Sequence, residues 1–337
     1  MDNTVSSPSP PRSRRGCWIT AGAAALVGGL ILLACVVGVV AVAASGAGTA
    51  SSSSWDEEYV SGDGEDKIAI IPVEGVIGAD SGGVFSDPGA TAQNLESQLR
   101  QAADDPLVRA VVLEVNTPGG GVVESDEMYQ AILDFKAASK KPVVVSMGDV
   151  AASGGYYISM AADRVVANPA TLTGSLGVIF SILNYDEAAE KLGITEVVIK
   201  SGPYKDIGSP TRDMTAQEQQ ILQTLINETY EQFVDVIEKG RKLPEARVKA
   251  LADGRVYSGR QAKGLGLVDD LGGLDAATGI AENLANVQNA TVVRYSSDNS
   301  LLSMLTSQVE PEKPTMVQLL EAAGFDPTPG LQYMYRP

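Results

Sequence analysis

From residue 67 onward, short apolar runs alternate with amphipathic segments, and this pattern limits the chain to a narrow class of folds. Strands are predicted over residues 68–77, 108–115, 142–146, 164–167 and 196–199. Helices are predicted over residues 91–103, 124–138, 185–192 and 215–239, with a further helix that starts at Ser153. Continuous apolar strands between helices are typical of a mainly parallel sheet covered on both faces. The pattern therefore predicts one α/β domain over residues 67–297.

The N-terminal part of the chain predicts a membrane anchor. Residues 18–44 are almost purely apolar, and no charged residue occurs between Arg15 and Asp56. A helix of this length measures ~40 Å, which exceeds the ~30 Å hydrocarbon core of a bilayer. We expect a transmembrane helix over residues 17–45. The arginines in residues 1–16 predict a cytoplasmic tail and place everything after residue 45 outside.

Three other fates of this segment are open. Residues 41–43, Ala-Val-Ala, are typical of a signal-peptidase site, residues 32–35 resemble a lipoprotein box ending in Cys35, and Arg14-Arg15 resembles a twin-arginine signal. The apolar run is about twice as long as a usual h-region of ~7–15 residues. It also continues beyond Cys35, where a mature lipoprotein would turn polar. Both features favour a retained anchor.

The charge, composition and cysteine content of the chain indicate the nature of its remaining segments. The net charge of −17 argues against a nucleic-acid partner. Residues 46–66 are rich in Ser, Gly and acidic side chains and predict a flexible acidic linker, and residues 298–337 predict a loosely structured tail. The two cysteines, Cys17 and Cys35, lie in or beside the predicted anchor. The outer domain is therefore expected to be stabilised by its packed core and not by disulfides.

The chain contains no histidine. This excludes a Ser-His-Asp triad, a Cys-His dyad and a zinc site with histidine ligands, and two cysteines are too few for a cysteine-rich site. We expect neither a metal nor a cofactor. A nucleophilic serine in this chain would need a lysine or a carboxylate as its base, and Ser-Lys variants of the triad perform acyl transfer in this way.

Ser153 is the candidate nucleophile. It follows the predicted strand 142–146 and precedes Gly154, Gly155 and a helix of small residues. N–H groups at a helix N-terminus favour a developing oxyanion, and the glycines allow a substrate backbone to approach closely. The alternative is a serine N-cap followed by two flexible glycines.

Two further loops each follow a predicted strand. Residues 116–121 read Asn-Thr-Pro-Gly-Gly-Gly, at a position where open α/β sheets bind ligands, although a plain tight turn has the same composition. Residues 200–207 contain Lys200 and Lys205, which by default are solvated surface charges. Asp206 would favour a charged Lys205 if both faced the same way, and strand-like alternation would separate them.

Together these segments resemble the signal peptide peptidase A family, membrane-anchored Ser-Lys peptidases related in fold to Clp protease and the crotonases. Residues 116–120 are similar to the family's Asn-Ser-Pro-Gly-Gly loop, with Thr117 as a departure. Residues 152–157 resemble the nucleophile segment, residues 173–178 a second loop, and residues 201–207 the segment that carries the base. Residues 255–269 resemble a shared region that we interpret as structural.

The resemblance implies a role for five residues. Ser153 is implied as the nucleophile and Lys205, in place of Lys200, as the general base. Ser175 is implied to hydrogen-bond the lysine, and the backbone N–H groups of Gly120 and Gly154 are implied to form the oxyanion hole.

The resemblance also implies remnant signal peptides as substrates and a ring-shaped homo-oligomer in which two subunits can share a dyad. Two alternatives are a broader extracytoplasmic peptidase for misfolded membrane proteins and a peptide-binding scaffold without catalysis. The intact set of serine, lysine and glycines disfavours the scaffold. A crotonase-type acyl-CoA enzyme suits the fold, but an extracytoplasmic location supplies no coenzyme A.

Overall fold

The computed structural model describes residues 55–78, 89–296 and 331–334. The predicted anchor over residues 17–45, the first part of the predicted linker and most of the C-terminal tail lie outside these residues. Among the helices that are described, none is both long and apolar enough to cross a membrane.

The described residues form most of the strands and helices that the alternating pattern predicts, together with several short strands that it does not predict. The strands are β1 (Asp56–Ser61), β2 (Lys67–Glu74), β3 (Val108–Thr117), β4 (Gly119–Gly121), β5 (Val143–Ala152), β6 (Arg164–Ala167), β7 (Leu172–Gly174), β8 (Ile179–Phe180), β9 (Val256–Ser258), β10 (Asp270–Leu271), β11 (Thr291–Ser296) and β12 (Leu331–Met334). The helices are α1 (Ala92–Asp104), α2 (Val122–Ser139), α3 (Gly154–Ser159), α4 (Asp186–Lys191), α5 (Ala216–Arg241), α6 (Glu245–Leu251), α7 (Gly259–Leu265) and α8 (Leu274–Ala285).

The main sheet is mostly parallel. Its strand order is β1-β11-β2-β3-β5-β6-β10, and β7 pairs with both β5 and β9. All neighbours in this sheet are parallel except β1 with β11 and β7 with β9. The carboxyl ends of β3 and β5, which precede the predicted glycine loop and Ser153, therefore lie side by side at one edge. This confirms the predicted mixed α/β class with a mostly parallel sheet.

Both faces of the sheet are covered. Along β2, Ala69 and Ile71 pack into the core formed with α1, α2, α3 and the second half of α5, whereas Ile68 and Ile70 pack into the core formed with α8. All four side chains are fully buried. Alternate residues of a strand point to opposite faces, so a strand buried on both sides has to be apolar at every position.

The strand predicted over residues 196–199 is wrong. These residues adopt no regular structure, and the side chains of Val197 and Ile199 are 82% and 96% exposed. A β-strand is stabilised by backbone hydrogen bonds to a neighbour, and the described part of the chain offers none here. The apolar composition that suggested a buried strand instead creates an exposed apolar segment.

Part of the predicted linker belongs to the sheet. Asp56–Ser61 forms the edge strand β1, which pairs antiparallel with β11. Trp55 fixes the start of this strand, because its backbone N–H donates to Gln101 Oε1 at 2.7 Å and its indole N–H donates to Ser97 Oγ at 2.9 Å. The domain therefore begins about ten residues before the predicted boundary at residue 67. Acidic side chains are a common feature of exposed edge strands, and composition alone does not separate them from a linker.

Candidate active site

Ser153 lies at the turn between the end of β5 and the start of α3. Its backbone has φ 53° and ψ −113°, which is a strained conformation for a residue with a side chain. Two backbone hydrogen bonds hold the turn: Ser153 N–H donates to the Gly174 carbonyl at 2.8 Å, and Tyr157 N–H donates to the Ser153 carbonyl at 2.9 Å. The residue is 1% exposed, and its hydroxyl has no hydrogen-bond partner among the described residues. Strain at a buried, unpaired hydroxyl indicates a functional position.

Helix α3 is anchored firmly, although it has only six residues. Every residue of the helix is buried. The hydroxyl of Tyr156 donates to the Leu267 carbonyl at 2.8 Å, and that of Tyr157 donates to Asp126 Oδ1 at 2.6 Å. Burial raises the pKa of Tyr156 far above its usual range, so this phenol stays a neutral donor. The surrounding core therefore fixes the backbone N–H groups that follow Ser153.

The glycine loop lies beside this helix. Thr117 Oγ1 accepts from Gly119 N–H at 3.0 Å, so the departure from serine at this position keeps a hydroxyl on the loop. A Cβ added at Gly120 would lie 2.0 Å from the carbonyl oxygen of Ile77, and only glycine fits there. Strand β4 packs against α3. The structure thus brings Gly120 and the N-terminus of α3 to the same edge of the sheet.

Ser175 is adjacent to Ser153 across two paired strands. Ala152 and Gly174 are partners in the parallel pair of β5 and β7, and each serine is the next residue. Ser175 also has a positive φ of 50°, and its N–H donates to the Arg255 carbonyl at 2.8 Å. Its hydroxyl makes no hydrogen bond with the described residues. The hydroxyls of Ser153 and Ser175 are therefore both without a hydrogen-bond partner in the described part of the chain.

The C-terminal segment supplies a strand next to the candidate site. Leu331–Met334 forms β12, which pairs antiparallel with β4 on one side and β8 on the other. Tyr333 is opposite Gly120, and β12 also packs against α3. The tail was predicted to be loosely structured, and these four residues differ because an extended backbone completes the hydrogen bonding of two short strands.

Lys205 lies on a different kind of segment. Residues 203–208 form consecutive turns, held by backbone hydrogen bonds such as Lys205 N–H to the Gly202 carbonyl at 3.3 Å. The Lys205 side chain is exposed, and its ammonium makes no hydrogen bond or ion pair with the described residues. The structure of one chain does not bring it into contact with Ser153 Oγ. Strand-like alternation does not separate Lys205 from Asp206, because turns occupy this segment.

Lys200 differs from Lys205 in being engaged. Its Nζ donates to Asp206 Oδ1 at 2.6 Å and to the Pro203 carbonyl at 3.2 Å. This pairing leaves Lys205 as the lysine of the segment without a partner among the described residues. The described residues also contain no group of three or more Cys, Asp or Glu side chains arranged to hold a metal ion.

Comparison with known proteins defines the class of this molecule. A model of peptidase family S49 matches residues 136–288, which include the Ser153 turn, the Ser175 loop and the Lys205 segment. The chain is 37% identical to a putative signal peptide peptidase SppA of Enterococcus faecium over 85% of this chain and 86% of the relative. It is 45% identical to a putative protease of Synechocystis sp. over 66% of this chain and 75% of the relative.

A third relative is a chloroplastic serine protease SPPA of Arabidopsis thaliana, 34% identical over 73% of this chain and 37% of the relative. A mostly parallel α/β domain with these matches is a serine peptidase. The chain belongs to peptidase family S49, and the resemblance to signal peptide peptidase A is confirmed.

Proposed function

We propose that the protein is a membrane-anchored serine endopeptidase that degrades remnant signal peptides, with Ser153 as the nucleophile and Lys205 as the general base. The chain covers 86% of the Enterococcus faecium relative, a putative signal peptide peptidase, and this supports the substrate class. The observation that carries the peptidase assignment is the strand position between β4 and β8. An extended backbone lies there, antiparallel to both strands and against the helix that Ser153 begins.

This strand position suits a peptide substrate. A chain that binds by strand addition gains its affinity from backbone hydrogen bonds, which every peptide sequence can make. The substrate would take the place of β12, with its backbone opposite Gly120. A scissile carbonyl held in this way lies beside the turn that presents Ser153. Such binding also favours a second candidate, a broader quality-control peptidase for misfolded membrane proteins, because it is tolerant of sequence.

The chemistry follows from the proposed roles. Neutral Lys205 accepts the Ser153 hydroxyl proton as Oγ attacks the peptide carbonyl, and the resulting ammonium protonates the leaving amine. The backbone N–H groups of Gly120 and Gly154 stabilise the oxyanion, and water then releases the acyl group from Ser153. Ser175 orients the lysine through its hydroxyl. Each of these groups except Lys205 is held at the edge where β3 and β5 end.

We propose that the lysine reaches Ser153 from a neighbouring subunit of a ring-shaped homo-oligomer. The hydroxyls of Ser153 and Ser175 have no hydrogen-bond partner among the described residues, and Lys205 is exposed on a segment rich in exposed apolar side chains. These side chains are Leu183, Tyr185, Leu192, Ile194, Val197, Val198, Ile199 and Tyr204. A concentration of exposed apolar residues is typical of a protein interface. A second copy of the chain would cover them and add the missing base.

The proposed topology is an anchor over residues 17–45 with the N-terminus in the cytoplasm. The domains are a cytoplasmic tail (1–16), an acidic linker, the peptidase domain and a C-terminal tail (298–337). Protease added to the outer face of cells should then degrade the domain and spare a short N-terminal fragment. A mature N-terminus near residue 44, or a lipid on Cys35, would contradict a retained anchor.

Labelling with a fluorophosphonate tests the nucleophile. The wild-type protein should be labelled once, and Ser153→Ala should not be labelled. Synthetic signal peptides and an unfolded soluble protein should then be compared as substrates. Preference for the signal peptides supports the first assignment, and equal cleavage supports the quality-control alternative.

A further inference from the structure

Arg212 joins the segment of Lys205 to the helix α5. Its Nε and Nη2 donate to Asp206 Oδ2 at 3.0 Å and Oδ1 at 2.9 Å, which is a bidentate pair, and Nη2 also donates to the Asp206 carbonyl at 3.1 Å. On its other side, Arg212 Nη1 donates to Glu218 Oε2 at 2.9 Å. A single guanidinium thus holds both the side chain and the backbone of the residue next to Lys205.

Glu218 connects this contact to the core of the domain. It is the third residue of α5 and forms a capping box with Thr215, whose N–H donates to Glu218 Oε2 at 2.9 Å. Glu218 is only 1% exposed. The second half of the same helix packs into the main core through Phe233 and Ile237. The position of Asp206 is therefore tied to the core through one arginine and one helix.

The segment has few other restraints in one chain. Residues 191–201 are all exposed, and the short helix α4 contains no buried residue. Apolar packing, which fixes Ser153, does not fix Lys205 within the subunit. Bidentate arginine–carboxylate pairs restrict geometry as well as contributing energy. In this segment, the polar contacts of Arg212 restrain the backbone in the way that apolar packing does around Ser153.

The same contacts balance the charge beside Lys205. The Asp206 carboxylate also accepts from Lys200 Nζ, so two carboxylates, Asp206 and Glu218, are matched by two cations, Arg212 and Lys200. Hydrogen bonds from Arg212 and Lys200 hold the pKa of Asp206 well below its usual range. Arg212, together with the Thr215 backbone, lowers the pKa of Glu218 to about 2. The carboxylates of Asp206 and Glu218 therefore stay charged through neutral and alkaline pH.

We propose that Arg212 is a positioning residue for the general base Lys205, and that it also cancels the charge of Asp206 so that neutral Lys205 is accessible. The inference rests on the proposed function. It assigns to Arg212 and Asp206 two separable effects, one on geometry and one on charge. Two other carboxylates lie near this segment. Glu196 accepts a hydrogen bond from Thr211, and Asp213 accepts one from Asn184. Neither carboxylate contacts Lys205.

The test measures the rate of fluorophosphonate labelling of Ser153 as a function of pH, because labelling is one chemical step at the nucleophile. Arg212→Met should lower the rate about 100-fold, the cost of a misplacement near 1 Å. This substitution leaves excess negative charge beside Lys205, which favours its ammonium form. The rising limb of the pH profile, over which the labelling rate increases with pH, should therefore move to higher pH. Asp206→Asn, which is nearly isosteric, leaves excess positive charge, and its limb should move to lower pH.

The double variant Arg212→Met/Asp206→Asn separates the two effects. Its charge is balanced again, so the limb should return to the wild-type position while the rate stays low. Arg212→Lys keeps the charge without the bidentate geometry and should show a wild-type limb with an intermediate rate. Arg100→Met is the matched control, because Arg100 pairs with Glu96 on the exposed face of α1 and should label like the wild type.

Each outcome has a separate meaning. If Arg212→Met labels within about threefold of the wild-type rate, or if the limbs of the two single variants move in the same direction, the inference is overturned. A purely structural role for Arg212 predicts the latter result. If Lys205→Ala labels at the wild-type rate, the base assignment under the proposed function fails, whatever Arg212→Met does. Thermal unfolding of every variant shows whether the fold is retained.

Discussion

The two halves of the proposed dyad are held by different physical means. Ser153 lies in a strained turn with 1% exposure, between a strand and a helix that are buried in the main core. Lys205 lies on exposed turns, held by the polar contacts of Arg212 and surrounded by apolar side chains that face solvent in the single chain. The core of one subunit is enough to fix the position of Ser153. The position of Lys205, in contrast, depends on whatever packs against its exposed segment.

Under the proposed function, this difference would keep the reactive lysine away from the serine of its own subunit. Within the described residues of one chain, the hydroxyls of Ser153 and Ser175 have no hydrogen-bond partner, and Lys205 does not contact them. Joining them through an interface would restrict peptidase activity to the assembled form. It would also limit entry to extended chains that fit a strand position, which protects folded proteins nearby.

The largest expected effect is the loss of either member of the dyad. Ser153→Ala and Lys205→Ala should each lower peptide cleavage by at least about 10⁴-fold, and the double variant should be no worse, because the two act as a unit. Lys200→Ala should keep most of the activity, since Lys200 Nζ is bound to Asp206. If the Lys205→Ala enzyme is active at neutral pH, Lys205 is not the general base.

Gly120→Ala should lower kcat/KM about 100-fold, because the methyl group would push the loop and displace one donor of the oxyanion hole. A Cβ at this position would lie 2.0 Å from the Ile77 carbonyl oxygen. Gly121→Ala is the matched control: its Cβ would meet Glu124 Cβ at an ordinary 3.7 Å, and kcat/KM should stay within about threefold of the wild-type value. Equal kcat/KM values for the two variants would contradict a role for the glycine loop.

Ser175→Ala should lower kcat about tenfold, because it removes one hydrogen bond to the lysine. The backbone of Ser175 donates through its N–H to Arg255, and the substitution leaves that contact in place. The melting temperature should therefore change little. A variant with full kcat would show that the hydroxyl does not contact the base.

The smallest expected effect concerns the strand position beside Ser153. Ending the chain at residue 330 removes β12, which pairs with β4 and β8 and, under the proposed function, would compete with a substrate strand for them. The apparent KM for a peptide should fall about two- to fivefold, because the position is no longer partly occupied. An unchanged KM would mean that the substrate binds elsewhere or that the segment does not compete.

Sequence reasoning was most successful where the core determines the structure. Alternate residues such as Ile70 and Ile71 are buried on opposite faces of the sheet, and this burial leaves its pattern in the sequence. The composition around Ser153 likewise predicts a strand, a turn and a helix, and the structure has all three. These elements depend on local preference and on burial within one chain.

Prediction failed where structure depends on pairing or on polar contacts. The apolar residues 196–199 resemble a strand but have no neighbour, and the acidic residues of β1 resemble a linker but pair with β11. The role of Arg212 was missed, although Thr215 and Glu218 already carry the spacing of a capping box. A guanidinium that joins two carboxylates six residues away on either side has no comparable signature.

Subunit complementation tests the central claim most directly. Inactive Ser153→Ala and inactive Lys205→Ala proteins are mixed in equal amounts under conditions in which subunits exchange, and peptide cleavage is measured. If the dyad is shared between neighbours, about a quarter of the sites in randomly mixed rings pair an intact serine with an intact lysine, and activity should return to about that fraction of the wild-type value. If labelled subunits demonstrably exchange and no activity returns, each chain completes its own dyad, and the proposed division of the site between subunits is wrong.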